Sequence, residues 1–553
     1  MTEAYITEQS FTADKRKPEQ FNVENRRTMR VTDNNNLNYA SDSVNFDLAT
    51  ISNSGKFVSL GETEVVFPLE VTVDSPLGTV ITDNQFMVCM KSNPALVNSI
   101  STTLAGMPVI TAQRYNAARV AIHFAETWDK SDWDRGDRHG IFWEGGNDGV
   151  HINTGASAHG LLGVSTTSVS NFDPKATDTP SHIIGQRKSR PNLGRKARCE
   201  QVRDGADTEL DTIKEGTTEL AEGKSLLSTQ TATKQIFQIN VVVKLGELDD
   251  FYDKSVLSKN SLWTLEFNLN IASMKMVIAG TTTTGDVTAL GADADAKKYV
   301  SCATTCSSGF NPLSVGSLAI HDGFHALHNN QVELNISMSI GNTYLKSCVM
   351  DVAMYDLSPK YKDLYLAQPI KSFSYMKVIS HNFPAIGAGD PLVANLSNGQ
   401  ARARKICIVP YAMNSNNSTA PPDLLSPFCS VGAQALSGFR CTVSNYQVLV
   451  NGQPLYQRAL TRTHQFYDEY KKYTTNNGVS SSPLNSGISF EDYETSYGVI
   501  TSDLTKIPEN NDNLASSYTV ELRNNTLKPC GYLMFLYYDA VISHNVETGE
   551  LIF

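Results

Sequence analysis

The chain has 553 residues, too many for one compact core, so length alone predicts roughly two to four domains. Charged residues make up 19% and the hydrophobic set 41%, with 22 Phe, 22 Tyr and 36 Gly, which excludes wholesale disorder, collagen and coiled coil. The 57 acidic residues outnumber the 46 basic ones, and a formal charge of −11 repels a polyanion over most of the surface, leaving only local basic patches for nucleic-acid contact.

Residues 1–44 are polar and nearly neutral, with six basic residues against seven acidic ones, and read as a flexible arm. From Val65 onward the dominant period is two, the signature of strands with one wet and one buried face. Residues 128–234 are rich in Gly, Asp, Ser and Thr, a length beyond ordinary hairpin turns that predicts an exposed functional or interface loop. The run Ile239–Leu245 suits a strand covered on both faces. Trp263, Leu265, Phe267, Leu269 and Ile271 alternate with polar residues and predict a half-buried strand. A second long insertion is expected over 279–310, followed by a strand containing Leu334, Ile336, Met338 and Ile340. Between a strand ending near Tyr355 and one starting near Phe373, Ser358–Gln368 turns helical and marks a linker, 357–370. Ile406–Val409 and Tyr532–Tyr538 read as buried strands. Pro454 at a first turn, with Tyr456, Leu460, Tyr467 and Tyr470 near helical spacing, predicts a helix from Pro454 to about Tyr470. The fold class is all-β: two tandem eight-stranded sandwiches with long loop insertions and a few short helices, one over 45–356 and one over 371–553.

Within the first long loop stand the candidate binding residues. Trp128, Trp133 and Trp143 lie among Asp129, Asp132, Asp134, Asp137 and Glu144, a combination able to stack sugars and bind their hydroxyls. A glycan-binding adhesin or glycosidase is therefore the alternative function, although tryptophans anchoring a loop to the sandwich are the favoured reading. Arg135, Gly136 and Asp137 form an RGD triplet, which a chain of this size readily contains by chance. His151 and His159 sit in a Gly/Ser/Ala loop without fixed ligand geometry. Arg187, Lys188, Arg190, Arg195, Lys196, Arg198 and Arg203 face a single acid, Glu200, within seventeen residues. This basic patch predicts a contact with an acidic subunit surface or, locally, with a genome; no aromatic interleaves it to stack bases.

The nine cysteines are scattered, and Cys302 and Cys306 lack a nearby His, so reduced thiols and no metal are expected. The sequence has no phosphate-binding glycine loop, nucleophile elbow or zinc spacing, and neither an enzyme nor a cofactor is expected. The start, MTEAYITEQS, lacks the regions of a secretory signal, and no stretch approaches the roughly 18 apolar residues of a membrane span, so a soluble, unexported protein is expected.

Four stretches resemble the double jelly-roll major capsid proteins of double-stranded DNA viruses. QIFQINVVVKLGELDDFYDKSVLSKNSLWTLEFNLN, Gln235–Asn270, is similar to the family's strand, short turn and second strand in roll one, with Lys244 where the family has proline. SCVMDVAMYDLSPKYKDLYL, Ser347–Leu366, resembles the last strand of roll one and the linker. YQVLVNGQPLYQRALTRTHQFYDEY, Tyr446–Tyr470, resembles the strand, Asn-Gly turn and helix of roll two. GYLMFLYYDAVISHNVETGELIF, from Gly531, resembles its last strand and terminal extension. The Asn-Gly block is most like polinton-like viruses and virophages. The resemblance implies a homotrimer of six rolls forming a pseudo-hexagonal block that tiles an icosahedral virion shell, with penton and minor capsid proteins as further partners.

Overall fold

The computed structural model describes residues 23–39, 42–74, 87–90, 93–113, 116–127, 199–202, 234–271, 273–280, 297–304, 310–311, 313–316, 332–341, 345–396, 403–412, 424–425, 443–476, 490, 493, 499–505, 516–525 and 530–552. The first half contains β1 (Val23–Thr32), β2 (Ser43–Asp47), α1 (Ala49–Ser52), β3 (Phe57–Asp74), β4 (Met87–Met90), β5 (Val97–Leu104), β6 (Met107–Gln113) and α2 (Asn116–Thr127). It continues with β7 (Cys199–Val202), β8 (Lys234–Lys244), α3 (Leu245–Leu248), α4 (Asp250–Lys254), β9 (Trp263–Leu269), β10 (Ser273–Gly280), β11 (Lys297–Thr304), β12 (Phe310–Asn311), β13 (Leu313–Gly316), β14 (Val332–Ile340) and β15 (Val349–Leu357). After α5 (Pro359–Leu366) come β16 (Ile370–Ile386), β17 (Pro391–Asn395), β18 (Ala403–Ala412), β19 (Leu424–Leu425), β20 (Val443–Val450), β21 (Gln453–Pro454) and α6 (Thr463–Asn476). The second half ends with β22 (Ile500–Asp503), β23 (Tyr518–Asn524), β24 (Cys530–Asn545) and β25 (Leu551–Ile552).

Two sandwiches result. In the first, an eight-stranded sheet, β1-β15-β3-β14-β10-β11 with β8 on β3 and β7 on β8, faces the sheet β2-β9-β5-β6. Alternation supplies the core: Val65, Phe67, Leu69 and Val71 of β3 point inward and are fully buried, as are Leu265 and Phe267 of β9. Phe67 meets Phe267 edge to face at 5.7 Å across the two sheets, and Phe46, on the neighbouring strand β2, meets the same ring at 6.0 Å. In the second, β16-β24-β18-β22 with β25 on β24 faces β17-β23-β20-β21. Here the buried Tyr446 hydroxyl shares a 2.6 Å hydrogen bond with Ser502, and the Ala403 N–H donates to the Tyr518 hydroxyl at 3.0 Å. Among the described residues, the only strand pairing between the halves is the two-residue parallel pair β12 and β19.

Several expectations change. Part of the supposed arm is a strand: β1 pairs antiparallel with β15 from Val23↔Leu357 to Thr32↔Val349, and Val44 and Phe46 of β2 are core residues. The segment reads as polar because an edge strand exposing most of its side chains carries no alternation. The expected insertion 279–310 contains β11, which uses the open edge of β10 as its template (Val277↔Val300). Leu245 does not end a strand but opens α3. The helix expected from Pro454 starts at Thr463 and runs on to Asn476. Asn451 and Gly452 both have positive φ, 51° and 79°, the turn geometry that folds a chain tightly back on itself. Pro454 therefore returns along β20 opposite Leu449, and Leu460 still exchanges both backbone hydrogen bonds with Tyr446. The helix over α5 and the burial of Trp263 agree with the sequence reading.

Candidate functional site: the seam between the sandwiches

Most candidate binding residues of the sequence lie outside the described residues: Trp128, Trp133, Trp143, the RGD triplet, His151, His159 and all seven cations of the basic patch. Only the backbone of Cys199–Val202, just before Arg203, is placed, paired with β8. Among the described residues no group of three or more His, Cys, Asp or Glu is gathered to hold a metal, and no helix is long and apolar enough to cross a membrane. Cys348 and Cys407 are free thiols.

A set of buried polar and aromatic groups instead lies where the two sandwiches meet. It is built on the short helices between β8 and β9. Asp249 caps α4, its carboxylate accepting the Phe251 N–H at 2.9 Å. Its other oxygen takes the Arg119 guanidinium of α2 at 2.6 Å, and Arg119 also donates to Asn116 Oδ1 and the Leu248 carbonyl, each at 2.7 Å. Both charged side chains are buried, 7% and 1% exposed, and the further hydrogen bonds offset part of the cost of burying them, while Arg119 Nε has no hydrogen-bond partner among the described residues. The helices are thereby fixed at the angle at which they meet β16.

β16 is the edge strand of its sheet, and α4 covers that edge. The Asp250 carboxylate accepts the Met376 N–H at 2.8 Å, occupying a donor that an open edge leaves free. Burial pushes the Asp250 carboxyl above the usual range. The next residue, Phe251, packs its ring against Tyr375 at 5.2 Å and Phe373 at 5.7 Å, and against Trp263 of its own sandwich at 6.0 Å. Further along the seam Trp263 meets His544 edge to face, and Ser261 Oγ lies 3.3 Å from His544 Nε2. The Lys259 N–H donates to the Val546 carbonyl and Asn260 Nδ2 to the Glu547 carbonyl, at 2.9 and 3.0 Å. A methyl group at Gly549, φ 78°, would stand 2.6 Å from the Asn260 carbonyl, so this approach needs glycine. In the linker, the Tyr365 hydroxyl donates to the Leu257 carbonyl at 2.8 Å.

A second clamp comes from the far end of α2, where the Glu126 carboxylate contacts the Lys405 ammonium of β18. Lys405 Nζ lies 4.2 Å from the Tyr537 ring centroid and 4.8 Å from that of Tyr473. Burial pulls the Lys405 ammonium toward deprotonation, but the facing carboxylate outweighs it and holds the group well above its usual value. Burial pushes the neighbouring Cys407 thiol up to about 12, and its Sγ donates to Glu126 Oε1 at 3.7 Å. A cavity of about 40 Å³ beside the pair is bounded by residues of α2, α3, α4, β16 and β18 and by Tyr537. What this arrangement does is mechanical: it fixes one sandwich against the other.

Sequence reasoning reached the burial of Trp263, the buried strand that holds Tyr537 and the linker helix that holds Tyr365, but missed the charged and hydrogen-bonded partners of the seam. The signal available was weak: Lys405 stands immediately before the apolar run Ile406–Val409, and Arg119 and Glu126 are two of several polar residues in α2.

No protein-family model matches the chain, and no curated protein matches it in sequence. Among solved structures, a chain of the Sputnik virophage, seen by cryo-electron microscopy, superposes with a TM-score of 0.50 at 10% identity, over 96% of this chain and 88% of that one. The mavirus major capsid protein gives 0.44 at 10% identity, over 98% and 94% of the two chains, and the Faustovirus major capsid protein 0.43 at 10%, over 95% and 91%. The chain has the double jelly-roll fold that the four sequence stretches imply.

Proposed function

We propose that the chain is the major capsid protein of a double-stranded DNA virus, which trimerises into pseudo-hexameric capsomers that tile an icosahedral shell around the genome. The observation that carries this reading is the seam: two jelly rolls in tandem, joined by a buried ion pair, hydrogen bonds and aromatic contacts, make a two-lobed unit. Three such units closed by a threefold axis present six lobes, a shape that tiles a surface. The likeness in fold to a virophage chain supports the same conclusion. The work is assembly rather than turnover of a substrate, and its energy comes from interfaces with apolar centres and polar rims. Partners are other copies of the chain, then penton and minor capsid proteins, in the virion.

Light scattering of the purified chain should report three copies, and electron microscopy should show hexagonal particles or closed shells. A stable monomer at micromolar concentration in assembly-permissive buffer overturns the proposal. The basic patch has two roles to be separated by reversing Arg195, Lys196 and Arg198 to Glu. A subunit contact gives failed or salt-sensitive assembly of empty shells; genome contact gives normal empty shells that package poorly. Normal assembly with normal packaging removes both roles.

A further inference from the structure

We propose that Glu126 and Lys405 condense to an isopeptide bond, a covalent weld between α2 of the first jelly roll and β18 of the second. The two residues stand 279 positions apart, and their side chains are only 4% and 2% exposed. Carboxylate and ammonium are in contact, so the reacting atoms are already held together and no encounter is needed. Tyr537 and Tyr473 wall the ammonium, and the Cys407 thiol, two residues along the same strand face, points its hydrogen at Glu126 Oε1. The amine nitrogen, the carboxyl carbon and a donor for the developing oxyanion are therefore all in place, and one proton transfer makes the first two reactive.

In bulk water an amine and a carboxylic acid remain an ion pair, because solvation stabilises both charges. Glu126 holds Lys405 protonated in the resting pair, so the reactive amine–acid form is a minor state; burial withholds the water that stabilises the separate charges and favours the neutral amide once it forms. The step begins with a proton passing from Nζ to Oε2 inside their hydrogen bond. The freed nitrogen lone pair adds to Cδ, and negative charge gathers on Oε1 opposite the thiol hydrogen. A second proton moves from nitrogen to Oε2, the Cδ–Oε2 bond breaks, and Oε2 departs as water. The ammonium loses two protons and the leaving oxygen gains both, so no oxidant, cofactor or outside base enters. The adjoining cavity of about 40 Å³ has room for the released water.

The test is mass spectrometry of the full, denatured and reduced wild-type chain beside Lys405→Arg, which keeps the cation but offers no comparable nucleophile. The wild-type chain is expected to be lighter than its sequence by one water molecule, and the variant to have its full mass. Proteolysis should release a branched peptide joining the segment around Glu126 to that around Lys405. Cys407→Ala should leave a larger unlinked fraction at equal age of preparation. A wild-type chain of full mass, or one in which Glu126 and Lys405 are both recovered in linear peptides, overturns the proposal. Either result is independent of whether the chain forms trimers.

Discussion

The indole of Trp263, in the first jelly roll, and the imidazole of His544, in the second, meet edge to face with centroids 6.0 Å apart. His544 is buried, and burial lowers its pKa to about 4, so the ring is neutral in the native seam. Unfolded, it protonates near its ordinary value of about 6.5. Between those two pH values the unfolded chain binds more protons, so stability rises with pH there. The contribution is complete above about pH 6.5 and is lost as pH falls toward 4; a shift of this size corresponds to about 3 kcal/mol. Lys371, cross-strand from His544, and Glu547 and Glu550 in the following turn are the charged groups nearest in the chain and the sheet. Denaturant titrations at pH 7 and 4.5 should show this loss in the wild type, and a much smaller one in His544→Gln. Equal losses in both would place the acid sensitivity elsewhere.

Phe251 should be the most costly single truncation in the seam. Its ring contacts Tyr375, Phe373, Trp263 and Tyr252 and is 1% exposed. Phe251→Ala removes contacts on both sides of the joint and is expected to cost about 3–5 kcal/mol, measured by equilibrium unfolding. Phe251→Leu should recover much of that loss, because it refills most of the volume.

Backbone packing beneath the seam gives a third expectation. A methyl group at Gly246 would lie 2.6 Å from the Gly61 carbonyl oxygen, and one at Gly61 would lie 2.9 Å from the Tyr252 carbonyl oxygen. These obstacles are backbone atoms, which cannot rotate aside. Gly246→Ala should therefore push α3 and α4 away from β3, at a cost of about 1–3 kcal/mol. Because Asp250 travels with α4, the Met376 amide should lose protection from hydrogen exchange in this variant. Unchanged protection there would show that the helices absorb the methyl group without moving.

The difference between what was legible in the sequence and what was not has a physical origin. Trp263 and Phe267 were readable because a strand with one wet face writes its burial into alternate positions. β1 was not, since an edge strand exposed on both faces has no alternation to write. The seam is illegible for another reason: Asp249, Asp250 and Asp253 look like solvated acids in the run ELDDFYDK, and only folding brings Arg119 and the Met376 N–H to the first two. Glu126 and Lys405 find each other across 279 positions, a relation no local pattern encodes. At the Asn451-Gly452 turn the local cue was sound, but Pro454 was given to the helix that follows rather than to the returning strand.

β1 is expected to be the least protected strand of its sheet, and its opening should be graded along its length. Its side chains are largely exposed, so little apolar burial holds it to β15. What holds it is the backbone ladder and the Arg30 guanidinium, which donates to both Asp351 oxygens at 2.8 and 2.9 Å. Arg30 is 60% exposed, and a pair so placed contributes about 0.2–1 kcal/mol. The strand's far end is tied more firmly. The Tyr39 hydroxyl donates to the Asp33 carboxylate, which also accepts the Cys348 N–H at 2.9 Å, and the Asp33 N–H donates to the Cys348 carbonyl at 3.2 Å. Opening should therefore start at Val23 and stop near Thr32. Hydrogen exchange is expected to be fastest at the Val23 end, slower toward Thr32 and slowest in β3. Arg30→Ala should accelerate exchange in β1 while leaving β3 unchanged and global stability within about 1 kcal/mol. Tyr39→Phe should instead raise exchange at the Thr32 end, because the knot at Asp33 loses its hydroxyl donor. A global loss well beyond that range in Arg30→Ala would mean that β1 unfolds with the sandwich as one unit rather than before it.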